Sequence, residues 1–434
     1  MQKNRIDIIS LGCSKNLVDS EKLMWQLRQN GYKVTHDPEK SRGNIVIINT
    51  CGFIGDAKEE SIQMILSFAE KKMRGKLDKL IVVGCLSGRY ADELRKEIPE
   101  VDAFYGKFQW KELINDLGCV YDDRTRFDRV LTTPRHYAYL KIAEGCNHAC
   151  SYCAIPIITG KYVSVPMEDI IEEVKLLTSK GVKEFQVIAQ DITYYGRDLY
   201  KTAKLPELIE RLSDIKGVEW LRLHYGYPTN FPMDLLRVMR ERDNVCNYLD
   251  IAFQHISDPI LKAMRRNCTA EQTYRLIDTI RQEVPDIHLR TTLLVGHPGE
   301  TEDDFAKLKE FVARARFERM GAFAYSEEEA TYSAEHYVDD VPQEVKMARV
   351  DELMALQQRI SAEVNAAKIG QILKVMVDRE EGDYFIARTE YDSPEVDPEV
   401  LIEKEGADLK VGDFCSVEIT GSEEFELYAK QVKR

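Results

Sequence analysis

Six of the ten cysteines stand where their thiols could do chemistry. Three lie on one short run, Glu144-Gly145-Cys146-Asn147-His148-Ala149-Cys150-Ser151-Tyr152-Cys153-Ala154-Ile155-Pro156, with the spacing CxxxCxxC. A loop that short can turn all three sulfurs onto one centre. Thiolates so spaced bind either a tetrahedral zinc, which wants a fourth protein ligand, or an iron-sulfur cube, which can leave one iron without a protein ligand. No Cys or His follows at finger-like spacing, because the next cysteine is Cys246. A closed zinc site is therefore incomplete on this loop, whereas a cube with an open corner is complete, and its open iron is a place for a substrate or cofactor.

The other three thiols, Cys13, Cys51 and Cys85, are far apart in sequence and are related only by the elements that carry them. Apolar runs alternate with amphipathic ones: strands at Arg5 to Gly12, Asn44 to Thr50 and Leu80 to Gly84, helices at Asn16 to Asn30 and Asp56 to Lys72. This predicts an open parallel sheet with helices on its faces. Each cysteine directly follows a strand, in Leu11-Gly12-Cys13-Ser14, Asn49-Thr50-Cys51-Gly52 and Val83-Gly84-Cys85-Leu86. In such sheets the C-terminal strand ends line one ligand crevice. Three distant thiols could meet there on a second metal centre, and the glycines beside them would let backbone approach a bulky cluster. Three unrelated buried cysteines are the alternative. Cys119 follows no strand and reads as structural.

From Tyr137 the alternation becomes regular, with strands near Ala138 to Ala143, Glu184 to Gln190, Trp220 to Tyr225, Tyr248 to Phe253, Leu289 to Val295 and Gly321 to Tyr325. Helices separate them. Met167 to Lys180 carries Ile170, Ile171, Val174 and Leu177 on one face. Six strand-helix units suggest a partial parallel (βα)6 barrel with chemistry at its C-terminal rim, where the CxxxCxxC loop leaves the first strand. Gln190-Asp191, His224-Tyr225, Gln254-His255 and Gly296-His297-Pro298-Gly299-Glu300 follow later strands; a lone GxxGE is by itself often a turn into a helix. Pro342 to Lys368 reads as a connecting helix. Five short strands after Gly370 favour a small antiparallel barrel of the oligonucleotide-binding kind. The boundaries are then 1–130, 131–341, 342–369 and 370–434.

Of 434 residues, 44% are hydrophobic and 31% charged, as in a soluble globular protein of two to three domains. No stretch approaches the roughly twenty apolar residues of a membrane span, and Met1-Gln2-Lys3-Asn4-Arg5 leads directly into a strand without a leader. The cytoplasm is expected, where ten cysteines read as metal or redox ligands before disulfides. A net charge of -14 disfavours a surface that tracks nucleic acid throughout. From Gln371 to Arg434 there are 8 Lys and Arg against 17 Asp and Glu, a net of -9. So acidic a barrel is expected to select a basic protein over RNA.

With Tyr152 before its last cysteine, the triad resembles the signature of the radical S-adenosylmethionine (SAM) enzymes. The two triads together, with a small C-terminal barrel, resemble their methylthiotransferase family over nearly the whole chain: an N-terminal methylthiotransferase domain, a radical SAM barrel and a TRAM domain. Leu11-Gly12-Cys13-Ser14-Lys15-Asn16-Leu17-Val18-Asp19-Ser20-Glu21, Tyr139-Leu140-Lys141-Ile142-Ala143-Glu144-Gly145-Cys146-Asn147-His148 and Phe253-Gln254-His255-Ile256-Ser257-Asp258-Pro259 are closer to the RimO branch, which modifies small-subunit ribosomal protein S-twelve, than to the MiaB branch, which modifies tRNA. The chain departs at Thr159 and His297, where these proteins commonly have Arg and Phe.

The resemblance implies a first four-iron cluster on Cys146, Cys150 and Cys153, with SAM on its open iron, and a second on Cys13, Cys51 and Cys85. One SAM donates a methyl to sulfur on the second cluster, and another becomes the radical that removes hydrogen from the β-carbon of an aspartate. Tyr152 near the adenine, with Gln190, Asp191, Arg222, Arg290 and Gly296, are the expected SAM contacts. A reduced donor such as flavodoxin or ferredoxin, a monomeric state and no membrane partner complete the expectation. The rival readings are a tRNA adenosine methylthiotransferase, which shares every cysteine, and a non-catalytic zinc or RNA-binding protein.

Overall fold

The computed structural model describes residues 5–432, so the Met1 to Asn4 stretch read for a leader, and Lys433 and Arg434 of the C-terminal charge count, lie outside the described residues. Two compact units are present. The first takes the chain to Thr133 together with Tyr139–His148 and Cys153–Leu177; the second takes Pro134–Ala138, Ala149–Tyr152 and everything from Thr178.

In the first unit five parallel strands run in the spatial order Lys33–His36, Arg5–Ser10, Ile45–Thr50, Lys79–Gly84, Ala103–Gly106. Ile45–Thr50 is buried at every position, as a strand covered on both faces must be. Its alternate residues divide between two cores. Ile45 and Ile47 pack with Leu23, Met24 and Leu27 of helix Ser14–Gln29, while Val46 and Ile48 pack with Ile65, Phe68 and Ala69 of helix Gly55–Met73. Cys119 belongs to the first of these cores. The edge strands Lys33–His36 and Ala103–Gly106 are four residues each, too short for periodicity to reveal, and were not expected from sequence.

The chain order of this sheet reverses between Arg5–Ser10 and Ile45–Thr50. That is the topological switch point, the place where open α/β sheets bind their ligands, and Cys13 and Cys51 follow the two strands that flank it.

In the second unit Glu184–Ile188, Trp220–Gly226, Val245–Ile251, His288–Val295 and Arg319–Ala324 form a parallel run, with the strand beginning at Tyr137 on its edge. Helix Gln343–Ala366 leads to a closed barrel of Ile372–Glu381, Tyr384–Thr389, Glu399–Glu403, Glu426–Gln431 and Phe414–Ser422. Its pairings are antiparallel except one: Glu399–Glu403 runs parallel to Glu426–Gln431.

The barrel docks on residues near the N-terminal ends of the sheet strands. Arg388 gives two hydrogen bonds to the Glu184 carboxylate at 3.0 and 2.6 Å and two to that of Asp378 at 2.6 and 3.1 Å, while Arg222 reaches Glu184 at 2.9 Å and the carbonyl of Glu390. His136 meets Asp378 at 2.7 Å, Arg319 meets Asp392 at 2.6 Å, and Arg290 pairs with Asp397. Trp220 packs edge-on to Phe414 among Cys246, Tyr248 and Met376. Part of the barrel's acidity is thus spent internally, on cations of the sheet.

Candidate cluster-binding site

Cys13 is the N-cap of helix Ser14–Gln29, Cys85 is the first residue of helix Cys85–Glu97, and Cys51 stands just before helix Gly55–Met73. Helix N-termini offer unsatisfied N–H groups and a positive dipole end, a setting that suits an anionic ligand. Cross-links bring the three loops together. Asn16 Nδ2 donates to the carbonyls of Leu11 at 3.2 Å and Thr50 at 3.1 Å, which ties the Cys13 loop to the Cys51 loop. Asn16 Oδ1 accepts from the Cys85 thiol at 3.8 Å. Asn49 donates to the Asn16 carbonyl and to Ser20 Oγ, each at 2.9 Å, and Ser61 Oγ bonds both backbone groups of Cys51 at 3.1 Å.

Glycine is required at two of these corners. A Cβ on Gly12, whose φ is +86°, would lie 2.7 Å from Cys51 Cβ and 3.0 Å from its sulfur; one on Gly52 would lie 2.8 Å from Leu86 backbone and 2.9 Å from the carbonyl carbon of Cys85. The glycines therefore let the thiol-bearing loops approach one another.

Cys13 is exposed, whereas Cys51 and Cys85 are buried. Burial pushes the Cys85 thiol up to about 12 and raises Cys51, with Lys107 pulling both the other way. A metal taking these thiols must displace their protons. No three His, Cys, Asp or Glu side chains among the described residues are gathered tightly enough for a single metal ion. The all-thiol donor set in a glycine-walled crevice is the ligand chemistry of an iron-sulfur cluster.

The CxxxCxxC loop is shared: Cys146 and Cys153 belong to the first unit, Cys150 and Tyr152 to the second. In the first, Cys146 N–H donates to the carbonyl of Gly160 at 3.2 Å, and the His148 N–H lies 3.4 Å from Cys146 Sγ. Thr159, the first departure, gives its hydroxyl to the Ile155 carbonyl at 2.9 Å.

In the second unit Ser151, between Cys150 and Tyr152, is held by the Met264 carbonyl at 2.9 Å, by Ser333 N–H at 2.7 Å and by His297 Nε2 at 3.2 Å. His297, the second departure, also meets Ser333 Oγ at 3.3 Å, and burial lowers its pKa and keeps the ring neutral. Arg266, unforeseen from sequence, donates to Tyr152 Oη at 3.3 Å, lies 3.9 Å from Cys150 Sγ and sits 4.3 Å over the Tyr227 ring.

The other expected SAM contacts divide by strand end. Gln190 and Asp191 follow strand Glu184–Ile188 at the C-terminal rim, but Asp191 accepts from the N–H and hydroxyl of Thr193. Gly296, also at the rim, donates its N–H to Glu300 at 2.9 Å. Arg222 and Arg290 are a correction: both stand near the beginnings of their strands and are committed to Glu184, Glu390 and Asp397 at the barrel seam. Strand direction decides this, since the third residue of a strand lies at the end opposite its C-terminal loop.

Lys107, Asn16, Ser61 and Glu144 were also unmarked in the sequence. Gly106-Lys107 repeats the strand-end context of the cysteines, and Glu144 directly precedes Gly145-Cys146, so both had a signal.

Residues 140–312 match the model of the radical SAM superfamily, residues 5–106 that of the Uncharacterized protein family UPF0004, and residues 369–432 that of the TRAM domain. The radical S-adenosylmethionine methyltransferase TsrM from Kitasatospora setae shares the fold at a TM-score of 0.55 and 15% identity, over 77% of each chain. The cobalamin-dependent radical enzyme OxsB aligns at 0.53 and 12%, over 82% of this chain and 56% of that one. Fold and matched models define a radical SAM protein with a C-terminal TRAM domain, a class that works with a 4Fe-4S cluster and SAM. A protein of Bacteroides thetaiotaomicron named ribosomal protein uS12 methylthiotransferase RimO is 67% identical over 430 residues, 99% of both chains, and its namesake in Porphyromonas gingivalis ATCC 33277 is 61% identical over the whole of both. The chain belongs to the RimO family of ribosomal protein uS12 methylthiotransferases.

Proposed function

We propose that this chain installs a methylthio group on the β-carbon of an aspartate of ribosomal protein S-twelve, using two four-iron clusters and SAM. The observation that carries this reading is the gathering of Cys13, Cys51 and Cys85 at the switch-point crevice, alongside a complete CxxxCxxC loop in a member of this family. Cys146, Cys150 and Cys153 are the proposed ligands of the SAM-binding cluster, and Cys13, Cys51 and Cys85 those of the second. Bound there, the cofactors supply electron transfer to SAM and radical chemistry at an unactivated C–H bond, which acid-base side chains cannot provide.

The protein's share is placement. Ser151 fixes the loop between Cys150 and Tyr152, and Arg266 orients the Tyr152 hydroxyl, so that Tyr152 is a defined wall for SAM. Gln190, Asp191 and Gly296 remain candidate contacts at the rim. Asn16 and Ser61 hold the loops of the second triad in register.

The domain limits proposed are 1–130, 131–341, 342–369 and 370–434. No helix among the described residues is long and apolar enough to cross a membrane, and the cytoplasm, where ribosomes and reduced thiols are found, is the proposed compartment. A reduced flavodoxin or ferredoxin as donor and a monomeric state are proposed with it. Mass spectrometry of S-twelve from cells with and without the gene tests the reading: a mass added to one aspartate is expected only with it. Methylthio incorporation into purified tRNA instead would favour the MiaB-type alternative.

A further inference from the structure

A buried ring of four alternating charges stands behind the second thiol triad. Lys107 Nζ lies 3.2 Å from Glu144 and 3.9 Å from Asp19; Lys141 lies 3.0 Å from Glu144 and also pairs with Asp19, which closes the ring. The four side chains are 4 to 13% exposed. One corner faces the thiols: Lys107 Nζ is 3.4 Å from Asn16 Oδ1, the atom that accepts from the Cys85 thiol. Another corner, Glu144, is the residue from which the chain enters Gly145-Cys146.

We propose that Lys107 is a positioning residue of the second centre, whose ammonium neutralises the charge of a cluster on Cys13, Cys51 and Cys85 and raises its reduction potential. This rests on the two-cluster reading above. Three thiolates give such a site negative charge, and with two of the thiols buried, solvent compensates it poorly. Lys107 is the cation whose field reaches both buried thiols, opposing their burial. It stays charged: burial disfavours the ammonium, but Asp19 and Glu144 outweigh it and raise its pKa. A fixed positive charge in a low-dielectric site stabilises whichever state holds one more electron. A ring that served only to staple loops would leave the potential unmoved.

The test uses the full chain with Cys146, Cys150 and Cys153 replaced by Ala, so that iron reports the second centre alone. Absence of iron in that parent would fail the two-cluster reading, and the proposal with it. With iron present, the midpoint potential is read by EPR-monitored titration in the parent, Lys107→Arg, and the pair Lys107→Met with Glu144→Gln. The pair removes one charge of each sign, which avoids an orphaned carboxylate if Lys107→Met alone fails to fold. Lys107→Arg should hold the parental potential. The pair should disfavour reduction about tenfold, or 59 mV for one electron. Loss of iron from the pair but not from Lys107→Arg, with thermal melting unchanged, also supports the counter-charge. An unchanged potential in the iron-loaded pair, or equal iron loss from Lys107→Arg, overturns the proposal.

Discussion

The crevice of the first unit and the barrel seam of the second both bury charge against parallel strands, yet they leave their polar groups in opposite conditions. At the seam, near the strand N-termini, Glu184, Asp378, Asp392 and Asp397 each meet an arginine. In the crevice, at the strand C-termini, hydrogen bonds secure the loops that carry the thiols. Cys13 is exposed there, and the raised pKa values keep Cys51 and Cys85 as thiols. The seam commits its charges to pairing, whereas the crevice would keep its thiols for the proposed second cluster, the division between strand ends seen in parallel α/β folds generally.

Breaking the crevice should cost chemistry and little stability. Replacing Cys13, Cys51 and Cys85 together by Ala is expected to bring methylthio transfer to S-twelve below detection while reductive SAM cleavage continues, as mass spectrometry and deoxyadenosine release would record. Breaking the seam should do the reverse. Arg388→Met leaves the buried Glu184 and half-buried Asp378 carboxylates short of their main partner, and should cost about 3–5 kcal/mol in denaturant unfolding with iron content unchanged. Asn16→Ala sharpens the contrast from the other side: the Leu11 and Thr50 carbonyls each lose a donor, about 1–3 kcal/mol apiece if neither is rehydrated, and iron retention on the second triad should fall.

The smallest expected effect is on pH dependence. Burial alone would raise Asp392, but Arg319 and Lys368 outweigh it and hold the carboxyl well below its ordinary 3.8. A carboxylate depressed in the folded state lends stability that is complete above 3.8 and is lost as pH falls toward the folded value. Glu184 and Asp378 are lowered in the same way, each against the effect of burial, chiefly by Arg388. Melting temperature should therefore fall steeply below about pH 4, a drop that Asp392→Asn should make shallower while lowering stability at pH 7.

Much of this was legible in the sequence. The three long strands of the first sheet, the strand-end placement of Cys13, Cys51 and Cys85, the buried stripe Ile170, Ile171, Val174 and Leu177, and the closed C-terminal barrel follow from periodicity and glycine placement. What escaped depends on distance in space. Arg222 and Arg290 read as rim residues because they lie on strands whose C-terminal ends form the rim, and only strand direction and the docked barrel assign them to the seam. The net -9 of the last segment suggested a basic partner, but Asp378, Glu390, Asp392 and Asp397 are buried or engaged at the seam, so fewer acids face outward than the count implied. Whether the remainder, Glu423, Glu424 and Glu426 among them, steers S-twelve is tested by their reversal to Lys, which should slow modification while SAM cleavage without substrate is unchanged.

Iron and acid-labile sulfide per chain, in the wild type and in the two triple-cysteine variants, test the two-centre account most directly. The account predicts about eight irons in the wild type and about four in each variant, all with cube-like spectra. Loss of all iron on removal of either triad, or about four irons in the wild type and none after removal of Cys146, Cys150 and Cys153, would contradict it.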